Sequence, residues 1–129
     1  MILKCMVLAL VFCVMWGCAD ADGSHPHLGK VEHVVMFKFK EGTSAEKIAE
    51  LEREFAALRD HIPQIAAFEY GTNMSPEGLD LGYTHCFIVT FNTVADRDAY
   101  LPHPAHKKYV ELLLPHLDLV HVIDFVARD

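Results

Sequence analysis

The stretch YTHCFIVTFN, residues 83–92, constrains the fold more than any other part of the chain. In an extended strand His85, Phe87, Val89 and Phe91 share one face, and Thr84, Cys86, Ile88 and Thr90 share the other. Both rows are largely apolar, so both faces of the sheet that holds this strand need cover. A second strand with the same property begins at Val31. In VEHVVMFKFK, His33, Val35, Phe37 and Phe39 alternate with Val34, Met36, Lys38 and Lys40.

Between and after these strands the period changes. Thr43 with Glu46 three residues on has the form of a capping box, and Ile48, Leu51, Phe55 and Leu58 then recur at helical spacing as far as Pro63. IAAFEYGTN is a weaker strand closed by the turn-rich MSPEGLDLG. Thr93 caps a short helix that runs to Tyr100. A second helical piece spans about 104–117, with Pro104 in its first turn and His103 just before it, and the last strand is expected from Leu119. The order strand, helix, strand, strand, helix, strand predicts an α+β fold of ferredoxin-like βαββαβ type, with a four-stranded antiparallel sheet and helices on one face. The other face is also apolar. Packing it against a second copy is the simplest closed solution, so a homodimer is expected.

Composition and charge exclude some classes of function. An apolar fraction of 52% in 129 residues supports one domain with a substantial core. Eleven Lys and Arg scattered among eighteen Asp and Glu give a net charge of -7, which leaves no basic face for nucleic acid. Residues 1–21 follow another rule: Lys4 precedes an unbroken apolar run to Trp16, and small residues follow. This is the layout of a signal peptide, and it predicts export to a periplasmic, secreted or lipid-anchored state. Two cleavage readings stay open. Gly17 before Cys18 resembles a lipobox and would leave a lipid anchor, whereas Ala19 and Ala21 fit an ordinary signal peptidase. On either reading membrane contact comes only through the signal or its anchor. Residues 22–30 read as a linker rich in Gly, Pro and His, and the folded domain as residues 31–129, with Cys86 its one cysteine.

Chemistry concentrates on one face. His33 and His85 are in phase with large apolar residues on two strands that are neighbours in such a sheet, and Tyr100 and His106 flank the LPHPAH corner. Histidine titrates nearest neutrality and can take and return protons. A tyrosine hydroxyl beside it can donate to a carbonyl or enolate oxygen. Tyr100 and His106 therefore suit proton abstraction next to a carbonyl, with His33, His85, Phe37, Val89 and His103 as the expected lining for a small hydrophobic or phenolic ligand. A metal held by His103, His106, His33 and His85 is the competing reading, but Pro104 between the first pair makes their rings hard to aim at one ion.

HVVMFKFK, GYTHCFIVTF, YLPHPAH and the closing DFVARD resemble the stress-response A/B barrel (Dabb) family, dimeric α+β barrels, over about residues 31–129. The resemblance places that family's strand-one histidine on His33, its YTH histidine on His85, and its catalytic tyrosine and histidine on Tyr100 and His106. It implies no metal or organic cofactor. For an enzyme of the family it implies a cofactor-independent cyclase or lyase that closes a linear polyketide by intramolecular aldol condensation, His106 acting as base and Tyr100 steadying the carbonyl oxygen. Other members resemble non-enzymatic stress proteins, so catalysis and simple stress-related binding both stay open.

Overall fold

A computed structural model of the chain describes residues 26–129. The expected signal peptide and the start of the linker lie outside the described residues. Strands β1 (Val31–Phe39), β2 (Ile65–Thr72), β3 (His85–Phe91) and β4 (Leu117–Val126) form one antiparallel sheet in the order β2-β3-β1-β4. Helices α1 (Ala45–Ala56), α2 (Leu58–His61), α3 (Val94–Tyr100) and α4 (Pro104–Leu113) connect them, and a short 3-10 turn, Leu114–His116, leads into β4. This is the α+β ferredoxin-like arrangement that the order of elements predicts.

The turn into α1 closes by the Thr43 N–H donating to the Lys40 carbonyl at 3.1 Å, with Gly42 supplying the φ of +83° that an L side chain resists. The helix begins one residue later than the capping box suggests. Ser44, not Thr43, accepts the Lys47 N–H, at 3.2 Å. Leu51, Phe55, Leu58 and Ile62 are buried against Phe37, Phe87 and Val89 of the central strands. Each such side chain contributes roughly 1.5–3 kcal/mol by leaving water. At the other end the Lys40 N–H donates to the His116 carbonyl at 2.8 Å, and β4 starts at Leu117, opposite Phe39, rather than at Leu119.

The face away from the helices carries Val34, Met36 and Ile88, half-buried, and Ile123 and Phe125, each about half exposed. Helices do not reach the β4 edge of their own face either, so Val120 and Val122 stay exposed there. The described part of the linker is tied to the sheet. The Gly29 N–H donates to the Ala127 carbonyl at 3.0 Å, and His27 Nδ1 lies 2.9 Å from Glu32 Oε1. The Thr90 hydroxyl donates to the other Glu32 oxygen at 2.7 Å, so this buried carboxylate is satisfied on both sides.

Candidate functional site

The corner between α3 and α4 follows from its two prolines. Thr93 caps α3 through the Asp96 N–H, at 3.1 Å, and Pro102, which lacks an N–H and clashes with the preceding turn, stops it just after Tyr100. Pro104 opens α4, and His103 is its N-cap, Nδ1 accepting the Ala105 N–H at 3.2 Å. The Leu101 carbonyl, at the end of α3, has His106 Nδ1 as its partner at 2.9 Å. A carbonyl only accepts, so Nδ1 carries the proton and the neutral ring leaves Nε2 as a free base.

The same corner packs the His106 ring on Tyr100, with 4.3 Å between centroids. Tyr100 is fully buried, and its hydroxyl has no hydrogen-bond partner among the described residues. His33 stands edge-on to Tyr100 at 5.7 Å, its Nδ1 2.6 Å from Asp124 Oδ1, while the other Asp124 oxygen receives the Arg97 guanidinium. Asp124 is thus already balanced. Burial and the Arg97 charge hold the His33 pKa down to about 4, so the ring is neutral at pH 7 and donates from Nδ1. Burial also lowers the His106 pKa, against the hydrogen bond to Leu101, and it pushes Tyr100 up.

These groups line a cavity of about 270 Å³ between the helix layer and the β1–β4 half of the sheet. Val35, Phe37, Phe55 and Leu113 form its apolar walls, and the partly exposed Leu101, Leu114, Val120 and Val122 form its rim. Its size is just below the ~300 Å³ at which small-molecule pockets commonly begin. A larger hollow of about 460 Å³ lies beside the β2–β3 loop, with His85 and Cys86 on its wall, but it has none of the corner residues.

Of the expected site residues, His33, Phe37, Tyr100 and His106 meet in the cavity. His85, Val89 and His103 do not line it. His85 pairs in register with Phe37 and His33 with Val89, so the two histidines are four residues apart along the sheet, ~13 Å. His85 lies instead 2.8 Å from the Thr84 hydroxyl and 3.6 Å from Glu52, edge-on to Phe39. Val89 is buried beneath the layer, and His103 is the helix cap. The pairing of His33 with Asp124 and Arg97, and the presence of Tyr109 in the cavity wall, were not anticipated from the sequence. Alternation puts Asp124 in phase with Val120 and Val122, but only the cross-strand register sets it opposite His33.

Residues 31–127 match the family model of the Stress responsive A/B Barrel Domain. The chain belongs to the stress-responsive A/B barrel domain family. This stress-responsive A/B barrel protein is 42% identical over 97 residues to the stress-response A/B barrel domain-containing protein HS1 of Arabidopsis thaliana, covering 75% of this chain and 89% of that one. It is 26% identical over 98 residues to the olivetolic acid cyclase of Cannabis sativa, covering 76% of this chain and 97% of the cyclase. Among solved structures, a dimeric ferredoxin-like protein of unknown function from a Jannaschia species superimposes with a TM-score of 0.68 at 25% identity, over 77% of this chain and 100% of that one.

Proposed function

We propose that this domain binds a small uncharged carbonyl compound with an apolar body, and moves a proton at the carbon beside the carbonyl as the first step of an aldol-type cyclase or lyase reaction. The observation that carries this reading is the buried Tyr100 hydroxyl, without a partner, packed against a histidine whose Nε2 is free. A buried hydroxyl left unpaired costs about 1–3 kcal/mol. If these residues only held the corner together, they would be expected to bond to one another.

The Tyr100 O–H donates to the substrate carbonyl and His106 Nε2 takes the α-proton, leaving an enolate whose charge the phenol stabilises. The imidazolium keeps its Nδ1–H on the Leu101 carbonyl throughout. When the enolate carbon adds to a second carbonyl of the same molecule, the new alkoxide takes the proton back from Nε2, and the protein returns to its starting state. Likeness to olivetolic acid cyclase supports the reaction class. With both imidazoles neutral and the phenol protonated, the cavity offers no counter-charge, which disfavours a carboxylate ligand.

The open sheet face is best covered by a second copy, and the dimeric Jannaschia neighbour supports that assembly. The signal-like pattern of residues 1–21, a Lys ahead of an apolar run and small residues, supports action after export. Binding is tested by comparing nonan-2-one with nonanoate in thermal-shift titrations of the parent, Tyr100→Phe and His106→Ala. The reading requires a rise in melting temperature with the ketone, in the parent, that Tyr100→Phe diminishes. Equal response to ketone and acid, or a shift that survives in both variants, contradicts it.

A further inference from the structure

Tyr109 lines the same cavity as Tyr100 and has no part in the proton transfer described above. It lies three residues after His106 on α4, which brings it to the same side of the helix. Its ring is fixed by stacking on Phe55, with centroids 4.7 Å apart and planes 18° apart. Its hydroxyl is fully buried and, like that of Tyr100, has no hydrogen-bond partner among the described residues. Phenylalanine would fill this place in an aromatic core equally well, without burying an unpaired donor. A hollow of about 500 Å³ between α1 and α4 also borders Tyr109, but it holds neither Tyr100 nor His106. Burial, with the neighbouring Tyr100, Glu52 and Glu54, pushes the Tyr109 pKa up, so the group stays a donor.

We propose that Tyr109 is a second hydrogen-bond donor of the cavity, one that reads a second oxygen on a neutral ligand. The inference rests on the reading that this cavity takes a carbonyl compound. Under it, Tyr100 and His106 serve the reacting carbonyl while Tyr109 selects molecules that carry another oxygen. Two carbonyls in one chain are also what an intramolecular aldol step consumes.

The test is calorimetric titration of nonan-2-one and nonane-2,4-dione into the full domain, as parent, Tyr109→Phe and Tyr100→Phe. Tyr109→Phe keeps the ring stacking and is expected to weaken the dione by about fivefold to tenfold while leaving the monoketone within about twofold. Tyr100→Phe is expected to weaken both. Unchanged monoketone affinity shows in the same experiment that the Tyr109→Phe cavity is intact. Dione affinity equal to the parent's, or an equal loss for both probes, overturns the role of Tyr109 alone. Failure of the parent to bind either probe overturns the carbonyl reading of the cavity, and this proposal with it.

Discussion

Tyr100 is where stability and function oppose one another most plainly. Its hydroxyl is buried without a partner, so Tyr100→Phe removes a desolvation cost and keeps the ring contacts with His33, Phe91 and His106. The variant is expected to be more stable by about 1 kcal/mol, or a melting temperature about 4–8 °C higher for a domain of this size, while losing ketone binding. Differential scanning fluorimetry without ligand checks the first part, and a lower melting temperature would show that the hydroxyl has a structural partner. His33 sets a second expectation. Its pKa falls from 6.5 in the unfolded chain to about 4 in the fold, so the unfolded state binds the proton first on acidification. Stability is complete above pH 6.5 and is lost as pH falls toward 4, by on the order of 3 kcal/mol from this residue. Urea unfolding at a series of pH values checks it, and His33→Gln should flatten that part of the curve.

The helices make a narrower claim. Ser44, one residue past the cap that the spacing of Thr43 and Glu46 suggests, accepts the Lys47 N–H. Ser44→Ala is therefore expected to cost about 0.5–2 kcal/mol in chemical denaturation, and Thr43→Ala little. The elements themselves were legible because two periods, two residues and about four, write the buried faces directly into the chain. What alternation could not supply is position along a face. His33 and His85 are on the same side of the sheet, as their phase predicts, but register separates them, and only one reaches the cavity. Asp124 had no signal of its own, since an acid within an apolar strand looks like an outward residue until its cross-strand partner is known. Tyr109 has no sequence signal that distinguishes it from an ordinary core aromatic, and it is buried as one. The LPHPAH corner was readable in kind, because Pro102, two residues after Tyr100, and Pro104, two residues before His106, fix a helix stop and a helix start. The hydrogen bond from His106 to the Leu101 carbonyl, which decides which nitrogen is the base, was not.

At the scale of the whole molecule, one sheet has to satisfy two faces with helices enough for one. Ile123 and Phe125 on the open face, each about half exposed, are expected to lie between two copies. Ile123→Glu would place a charge in that apolar contact, and light scattering after size exclusion should then find a monomer where the parent is a dimer. A parent that is already monomeric at micromolar concentration would contradict the homodimer. The cavity lies on the opposite side of the sheet, between helices and β4, so its chemistry can be assayed in either state. The most direct measurement is the exchange of α-protons of nonan-2-one for deuterium in D2O, followed by NMR, with parent, His106→Ala and Tyr100→Phe. Exchange faster than buffer, lost in both variants, present at neutral pH and falling at more acidic pH as His106 Nε2 takes up a proton, is the result expected of a neutral base beside a phenol donor. A bound ketone whose α-protons exchange no faster than in buffer would contradict proton transfer at this site.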